Sequence, residues 1–287
     1  MVLAAGLGTR LRPLTEHLPK PILPIGDRSS LARALARVTA ARAPRVVVNA
    51  HHGAARLRAA VEAEFPGVFV SEERELLGTA GGLARAAPAL GAGDVLVWNA
   101  DCLVEADLAA LVAAHASSGA AATLLVAPRP RGEGSVGLDA GARVVRLRQE
   151  SVADEATGAD FVSVHVVGAS LRANLPGAGC MVADVYIPAM RRGAILRAVP
   201  YEGPFFDIGS PASYLDANLA WLAPRTAWIG DGAHVAPSVS LEHALVGAGA
   251  RVAGQGRLER CVVWPGATAI APLRNAVVTP DFTLPIA

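Results

Sequence analysis

This 287-residue sequence has almost no net charge and only three cysteines. Its 26 basic residues balance 25 acidic ones, and the formal charge of +1 gives no general attraction to nucleic acids or anionic membranes. Cys102, Cys180 and Cys261 lie far apart in the chain and lack metal-ligand spacing. The sequence therefore argues against a cysteine-ligated metal site and fits a reducing cytoplasm.

The sequence also lacks a segment typical of secretion or membrane insertion. Residues 1–11 have no basic stretch ahead of a long apolar one, as a secretory signal would have. The longest uncharged run, residues 108–128, contains His115, Ser117, Ser118 and Gly119, and this predicts a helix, a turn and a strand. We therefore expect a cytoplasmic globular protein without nucleic-acid or membrane partners, and 52% hydrophobic content is enough for a large core.

Lysine is nearly absent. Of the 26 basic residues 25 are arginine, and Lys20 is the only lysine. A guanidinium is a planar fork, whereas an ammonium is a compact point charge with three rotatable donors. A general preference for arginine explains the other positions but not this one. The lysine in Pro19-Lys20-Pro21 therefore predicts a chemical requirement for an ammonium.

Short apolar segments alternate with helical patterns in the first half of the chain. The patterns predict strands at residues 2–5, 46–48, 68–70, 95–97 and 123–126, and helices at residues 31–41, 54–64, 83–87 and 107–115. This alternation predicts a doubly wound α/β fold with a mostly parallel, Rossmann-like sheet. Because ligands of such sheets bind at the carboxyl ends of strands, we expect the loops that follow strands to carry the chemistry.

The pattern changes in the second half. Residues 144–148 and 161–167 predict added antiparallel strands, and Ser210-Pro211 is typical of a helix start. Beyond Pro224, aliphatic residues recur about every six positions, as in a left-handed β-helix of roughly two turns. We therefore predict two domains, residues 1–222 and 226–287, and a homo-oligomer formed through the open end of the second.

Two glycines and an arginine follow the first predicted strand. In Gly6-Leu7-Gly8-Thr9-Arg10, the glycines allow backbone N–H groups to approach phosphate oxygens, and the guanidinium adds charge-assisted hydrogen bonds. A dinucleotide fingerprint would need a third glycine where Leu11 stands, and a Walker A loop would need Gly-Lys-Ser/Thr. Neither pattern is present, so the segment predicts a phosphate site of another kind.

Four motifs, in chain order, resemble those of the sugar-1-phosphate nucleotidylyltransferase family. They are Leu3-Ala4-Ala5-Gly6 through Thr15 with Pro19-Lys20-Pro21, which resembles the family signature; Leu77-Gly78-Thr79-Ala80-Gly81-Gly82, the base-recognition loop; Asn99-Ala100-Asp101, a strand-end metal aspartate; and Phe206-Asp207-Ile208-Gly209-Ser210-Pro211, a second metal aspartate. The likeness covers about residues 1–222. It implies that this region is the catalytic domain.

The resemblance also implies a set of site residues. The implied catalytic residues are Arg10, Lys20, Asp101 and Asp207, and the two aspartates bind Mg²⁺. The implied nucleotide-binding residues are Ala4, Ala5, Gly6, Gly8, Thr9, Arg10, Gly78 and Thr79, and the implied sugar-phosphate-binding residues are Gly137, Glu150 and Ser163. The expected reaction transfers a nucleotidyl group from a nucleoside triphosphate to a sugar 1-phosphate and releases pyrophosphate.

The position of Asp101 supports a metal-binding role independently of the resemblance. It directly follows the strand predicted at residues 95–98, so it lies at a carboxyl end, where a carboxylate can hold Mg²⁺ against phosphate oxygens. A strand-end aspartate is often only a turn cap, so Asp101 alone leaves structure and function open. A second aspartate, Asp207, together with a phosphate loop favours the metal.

Two positions depart from the family pattern. Gln149-Glu150-Ser151 stands where members often carry Glu-Lys-Pro, so the phosphate contact of that lysine is missing and Arg146 or Arg148 is the candidate replacement. Ser163 stands where glycine is usual. Both departures keep open a nucleotide-sugar-binding regulatory subunit with weakened catalysis.

The base and the sugar follow from the second motif. Leu-Gly-Thr-Ala-Gly-Gly resembles the purine-using branches of the family, which favours GTP with mannose 1-phosphate. A uridylyl- or thymidylyltransferase of another hexose 1-phosphate is the alternative. The C-terminal repeat also suggests a hexapeptide acyltransferase, but two turns without an evident catalytic histidine argue against that class.

Overall fold

A computed structural model describes residues 1–286, which form two compact units. Unit 1 comprises Met1–Leu7, Pro19–Pro21 and Leu31–Phe205. Unit 2 comprises Gly8–Leu18, Ile22–Ser30 and the chain from Phe206 onward. The domain boundary near residues 222–226 stays a prediction, and Ala287, the end of the predicted second domain, lies outside the described residues.

Unit 1 is built on a mixed sheet of ten strands. The order of the main path is Glu150–Ser151, Val144–Leu147, Val136–Leu138, Thr157–Val167, Val95–Asn99, Val2–Leu3, Val47–Ala50 and Phe69–Glu72. The last four strands pair in parallel, and the first four pair antiparallel to their neighbours. Ala122–Arg129 joins Thr157–Val167 antiparallel and Leu196–Pro200 in parallel. The predicted α/β class is confirmed, with antiparallel strands added as expected.

Helices connect these strands. They are Ser30–Ala40, Ala54–Glu64, Gly78–Leu90, Leu108–Ser118, Ala169–Arg172 and Ile187–Arg191, with a π-helical turn at Met181–Tyr186. The long uncharged run is the predicted helix, turn and strand: the Asp107 carboxylate caps the helix by accepting from the Ala110 amide at 3.0 Å, and Gly119 ends it with a φ of +61°. Among residues 1–286, no helix is long and apolar enough to cross a membrane.

The core of unit 1 holds the strand ends in place. Val97, Leu124 and Leu83 are completely buried within one continuous apolar cluster, and each such side chain contributes about 1.5–3 kcal/mol by leaving water. Trp98 is 2% exposed, and its indole N–H donates to the Cys102 carbonyl at 3.0 Å, just past the strand end. Packing and this bond fix the turn that carries Asp101.

One helix begins earlier than predicted. The pattern predicts a helix at residues 83–87, whereas the structure extends it from Gly78 to Leu90. Tight packing explains the glycines in its first turns, because a Cβ at Gly81 would lie 2.7 Å from the Ala178 Cα and a Cβ at Gly82 would lie 2.6 Å from the Asn49 amide nitrogen. The base-recognition motif is therefore a helix start and not an open loop.

Unit 2 combines two early segments with the C-terminal part of the chain. It contains a 3₁₀ turn Thr9–Leu11, the short helix Leu14–His17, the hairpin Pro24–Ile25 with Arg28–Ser29, and the helix Pro211–Leu222. As predicted, Ser210 caps that last helix: its hydroxyl accepts from the Ser213 amide at 3.2 Å, and the Ser213 hydroxyl accepts from the Ser210 amide at 2.9 Å.

The C-terminal strand layers, residues 227–278, stack parallel strands on three faces. The strands are Ala227–Ile229, His234–Val235, Val239–Glu242, Ala244–Val246, Arg251–Val263 and Thr268–Val278, followed by the antiparallel Thr283–Pro285. Ile229, Val246, Val263 and Val278 lie in register, as do Leu241, Leu258 and Leu273. The arrangement is consistent with the predicted β-helix-like domain.

The strands complete three turns rather than roughly two, and four strands stack on the face that contains Ile229. Two charged pairs, Glu242-His243 and Glu259-Arg260, interrupt the aliphatic repeat in the sequence. They lie at corners of the stack, where His243, Arg260 and the equivalent Asn275 adopt φ values of +48°, +47° and +48°. At such a corner the chain turns into the next layer, so a charged side chain points outward without ending the stack. Sequence spacing alone does not separate a corner from a break.

Candidate active site

The only lysine contacts the strand-end aspartate. In unit 1, the Lys20 ammonium donates to Asp101 Oδ2 at 2.5 Å, and the two side chains are 11% and 34% exposed. Asp101 lies in the turn after Val95–Asn99, at the carboxyl end of the parallel part of the sheet. A mostly buried ammonium is held against a carboxylate that remains accessible to solvent.

The neighbouring strand supplies Ser163, at a local irregularity. The pairing of Thr157–Val167 with Ala122–Arg129 shifts register between Phe161 and His165, and Ser163 has a φ of +61°. That left-handed conformation favours glycine and costs a serine of order 1 kcal/mol or more, which gives a conformational reason for the glycine that the family resemblance implies at this position. The Cys102 thiol donates to the Val162 carbonyl at 3.1 Å, so Ser163 adjoins the turn that carries Asp101.

Sequence reasoning missed a buried polar network at the same strand ends. The Asn49 side-chain carbonyl accepts from the Ala4 amide at 2.6 Å, and its NH₂ donates to Glu73 Oε1 at 2.7 Å. Glu73 Oε2 accepts from the Leu77 amide at 3.1 Å, and both Asn49 and Glu73 are 2% exposed. The network joins the end of the first strand to the start of the base-recognition motif. Its signal in the sequence is a polar residue at the end of each neighbouring strand.

Gly78 and Thr79 are fixed by a second segment of unit 1. The Ala80 amide donates to the Gly179 carbonyl at 2.9 Å, and the Thr79 hydroxyl accepts from the Met181 amide at 2.7 Å. Gly78 has a φ of +72°, and a Cβ there would overlap the Gly179 carbonyl oxygen. Local packing is thus sufficient to require glycine at this position, and its contact with a nucleobase stays a prediction.

The substitution Gly78→Ala separates these two reasons. We expect it to lower the free energy of unfolding by about 1–3 kcal/mol more than Gly119→Ala does, because overlap with backbone adds to the strain of positive φ. Gly119, with a φ of +61°, is the matched control, since a Cβ there meets nothing within 4 Å. Urea unfolding measures both, and equal losses would contradict the packing explanation.

In unit 2, the predicted phosphate-binding residues form a tight turn. Gly8 has a φ of +65°, and its carbonyl accepts from the Leu11 amide at 2.9 Å and from the Thr15 hydroxyl at 2.9 Å. The Arg10 guanidinium lies close to Gly209, where a Cβ would come within 3.2 Å of it. Gly209 follows the exposed Asp207 by two residues, so an arginine and a carboxylate of the predicted site lie on neighbouring segments.

The guanidinium of Arg146, a predicted replacement for the missing lysine, makes several hydrogen bonds within unit 1. Its guanidinium donates to Glu155 Oε2 at 2.6 Å and to the carbonyls of Gly134, Arg148 and Glu133 at 3.0–3.1 Å. The Arg146 and Glu155 side chains are 16% and 11% exposed. A Cβ at Gly137 would overlap Glu155, so the absence of a side chain there has a structural reason. These hydrogen bonds give Arg146 a structural role, and its contact with a sugar phosphate stays a prediction.

The Arg146–Glu155 pair predicts a pH effect. The hydrogen bond from Arg146 lowers the pKa of Glu155 below its ordinary value of 4.5, and the Gly132 amide acts in the same direction. The pair therefore stabilises the fold fully above 4.5, and this contribution is lost as the pH falls through the lower pKa of the folded state. We expect Glu155→Gln to cost about 1–3 kcal/mol at pH 7 and progressively less as the pH falls below 4.5, and urea unfolding of wild type and variant over this range measures the difference. Two results would contradict this: a loss of unfolding free energy that does not change with pH, or a loss as small as that caused by Asp154→Asn at the exposed neighbouring position.

Two other arginines surround Glu150. Its carboxylate is ion-paired with Arg191 of the helix Ile187–Arg191, and both side chains are about half exposed. Arg148 lies in the turn between the paired strands Val144–Leu147 and Glu150–Ser151, where its φ is +56°. Its guanidinium lies 3.5 Å from the Cys180 sulfur. Arg191, which pairs with Glu150, and Arg148, two residues before it in the chain, are further candidate cations on the predicted sugar side. Sequence reasoning missed Arg191, because it is 41 residues away in the chain.

The chemistry of the two aspartates fits a divalent cation. Each is a carboxylate accessible to solvent, and one oxygen of Asp101 accepts a hydrogen bond from the Lys20 ammonium. Hard oxygen ligands of this kind are those that Mg²⁺ prefers, usually with one or two carboxylates and substrate phosphates. Within the described chain, no group of three or more His, Cys, Asp or Glu residues is placed to hold a metal by itself.

Comparison with known proteins identifies the family. A family model described as nucleotidyl transferase matches residues 1–150. The chain is 32% identical over 265 residues to a mannose-1-phosphate guanylyltransferase of Mycobacterium tuberculosis, covering 84% of this chain and 72% of that protein. It is 30% identical over 233 residues to an N-acetylmuramate alpha-1-phosphate uridylyltransferase of Caulobacter vibrioides, covering 76% and 94%.

A solved structure shares the fold. The crystal structure of HddC from Yersinia pseudotuberculosis complexed with GMP-PN matches with a TM-score of 0.63 and 22% identity, over 77% of this chain and 97% of that one. The family match and the two relatives confirm the resemblance drawn from the four motifs. The chain belongs to the nucleotidyl transferase family and is an enzyme of its sugar-1-phosphate nucleotidylyltransferase class.

Proposed function

We propose that this enzyme transfers GMP from GTP to mannose 1-phosphate and releases pyrophosphate. The observation that carries the proposal is the contact of the only lysine with the strand-end aspartate, at 2.5 Å. A phosphate-binding cation and a metal-binding carboxylate lie side by side where an α/β sheet usually binds its ligands. Both substrates are anions, so such a site has to offset their repulsion.

The reaction needs no nucleophile from the protein. An oxygen of the sugar phosphate attacks the α-phosphorus, and the bond from that phosphorus to the pyrophosphate oxygen breaks. Arg10 and Lys20 bind phosphate oxygens and stabilise the charge that develops on them, while the backbone amides from Gly8 to Arg10 orient the triphosphate. Mg²⁺ on Asp101 and Asp207 supplies further positive charge when it is bound.

Specificity rests on residues near the other strand ends. Gly78 and Thr79 contact the base, and Ala4 to Gly6 complete the nucleotide site. Gly137, Glu150 and Ser163 form the sugar side, where Arg148 and Arg191 supply the cation that the family lysine supplies elsewhere. The M. tuberculosis relative, named a mannose-1-phosphate guanylyltransferase, supports GTP and mannose 1-phosphate as the pair.

The C. vibrioides relative, named a uridylyltransferase, favours a second candidate: UTP with another sugar 1-phosphate. Measuring kcat/KM for GTP, UTP and dTTP against mannose 1-phosphate, glucose 1-phosphate and N-acetylmuramate 1-phosphate decides between them. The proposal predicts the highest value for GTP with mannose 1-phosphate. A higher value for any other pair would overturn the choice of substrate but not the reaction class.

We also propose a homo-oligomer formed through the C-terminal strand layers. Among residues 1–286 no strand lies beneath the first layer, and its Ile229 side chain is 51% exposed although the residues stacked above it are buried. Ile229→Asp is therefore expected to lower the mass measured by light scattering, whereas Ile270→Asp, at an outward-facing position that is 68% exposed, leaves it unchanged. An unchanged mass for Ile229→Asp would place the contact elsewhere.

A further inference from the structure

The far end of the C-terminal strand layers contacts the segment that follows the predicted phosphate loop. In unit 2, His17 Nδ1 lies 2.8 Å from Asp281 Oδ2, and the His17 and Phe282 rings are 4.9 Å apart between centroids. His17 is the last residue of the short helix Leu14–His17. Residues separated by more than 260 positions in the chain thus meet at the end of the short helix that follows Gly8 to Arg12 in the chain.

Contacts within the early segment connect His17 to the loop. Leu11 and Leu14 are completely buried, and Thr15 donates to the Gly8 carbonyl at 2.9 Å. Gly8 is the left-handed residue from which the 3₁₀ turn Thr9–Leu11 starts. Because these few residues form one packed turn, the position of His17 and the position of the loop amides are linked.

The opposite side of the contact is rigid. The Thr279 hydroxyl accepts from the Asp281 and Phe282 amides at 3.3 and 3.1 Å, and the Thr279 amide donates to the Phe282 carbonyl at 2.8 Å. Thr279 is 3% exposed. Val278, just before it, pairs with Thr283 on the antiparallel strand that follows the turn. Asp281 and Phe282 are therefore held by a closed turn at the end of the stack.

A second connection in unit 2 supports the segment that follows the loop. The Trp264 indole N–H donates to the Tyr214 hydroxyl at 2.9 Å, and that hydroxyl donates to the Pro24 carbonyl at 2.6 Å. The Gly26 amide donates to Asn218 at 2.9 Å, and Tyr214, Asn218 and Trp264 are all at most 3% exposed. The strand layers are thus connected to the early chain at two places: Trp264 reaches Pro24 through Tyr214 of the helix Pro211–Leu222, and Asp281 and Phe282, in the turn after the last layer, contact His17.

We infer that the C-terminal strand layers position the phosphate loop, and that His17, Asp281 and Phe282 are positioning residues for nucleotide binding. The inference rests on the proposed function, which assigns Gly8, Thr9 and Arg10 to the triphosphate. A loop already held in its binding conformation loses less conformational freedom when it orients a substrate, so it binds more tightly than a mobile one. The strand layers then serve the active site of their own chain, in addition to any role in assembly.

Hydrogen exchange of the ligand-free protein tests the inference without relying on activity. We expect Asp281→Ala and Phe282→Ala to speed exchange of the amides of residues 9–17 by about two- to tenfold, the range for loss of one partly exposed ion pair or one ring contact. Asp281→Asn retains an acceptor and is expected to fall between wild type and Asp281→Ala. The matched control is Glu242→Ala, which removes an exposed ion pair with Arg257 (2.7 Å) from the same strand layers.

A kinetic measurement gives the second readout. With GTP, Mg²⁺ and mannose 1-phosphate, Asp281→Ala is expected to raise KM for GTP about two- to tenfold, while KM for the sugar phosphate and the mass in solution stay the same. In a double-mutant cycle, His17→Gln adds little to Asp281→Ala. Exchange at residues 9–17 no faster than in Glu242→Ala would overturn the inference. If exchange were faster but wild type turned over no substrate pair, the proposed function would be refuted. The role of the His17–Asp281 contact in holding the loop would still be supported.

Discussion

Lys20→Arg is expected to lower kcat on the order of 10²-fold, the effect of losing one preorganised donor, although it keeps the positive charge. The structure adds a steric reason to the chemical one. The Lys20 side chain is 11% exposed and its Nζ lies 2.5 Å from Asp101, while Pro19 packs so closely on Gly53 that a Cβ there would overlap it. A planar guanidinium is larger and cannot rotate its donors independently. We expect KM for the nucleotide to change less than kcat.

The matched control for this substitution is Arg257→Lys, a conservative exchange in an exposed ion pair of the C-terminal strand layers, with near-normal kcat expected. Amine-directed labelling gives an independent readout, because wild type has one lysine. Bound nucleotide with Mg²⁺ should slow modification of Lys20. A Lys20→Arg enzyme with wild-type turnover, or labelling that nucleotide does not slow, would place Lys20 outside the reaction centre.

Asp101→Asn and Asp207→Asn are each expected to lower turnover by about 10²–10⁴-fold while the fold stays intact. Neither carboxylate is buried, so the amide adds no buried unsatisfied group. Asp101→Asn should also speed amine labelling of the ligand-free protein, because its neutral side chain holds the Lys20 ammonium less tightly. Steady-state rates over a Mg²⁺ titration measure the loss.

The matched control for these variants is Asp160→Asn. Asp160 is 31% exposed and paired with Arg129 at 2.7 Å, so it resembles Asp101 in exposure and pairing. Its substitution is expected to leave turnover within about twofold, as for an exposed ion pair. Normal Mg²⁺-dependent activity in either Asp101→Asn or Asp207→Asn would remove that residue from the metal site.

Local patterns in the sequence predicted much of this fold. Alternating strands and helices predicted the α/β sheet, and Ser210-Pro211 predicted a helix start that the structure caps at that residue. Asp101 was predicted at a strand end, and it lies there. These features depend on neighbouring residues, so they are visible in the sequence itself.

Other features depend on which distant segments meet. The Asn49–Glu73 network requires three strand ends to be neighbours. The hydrogen bond of Arg146 to Glu155 depends on the Glu155 side chain lying against Gly137. The contact between His17 and Asp281 joins the two ends of the chain. The sequence shows polar residues at the predicted strand ends, but no periodicity or spacing shows which distant residues make contact.

The measurement that tests the central claim most directly is product formation by the purified enzyme with GTP, mannose 1-phosphate and Mg²⁺. The account predicts GDP-mannose, identified by mass spectrometry, and pyrophosphate in equal amounts, only when both substrates are present. Asp101→Asn protein should form neither product at a comparable rate. If no combination of nucleoside triphosphate and sugar 1-phosphate released pyrophosphate faster with wild type than with Asp101→Asn, the account of this site as a centre of nucleotidyl transfer would be contradicted.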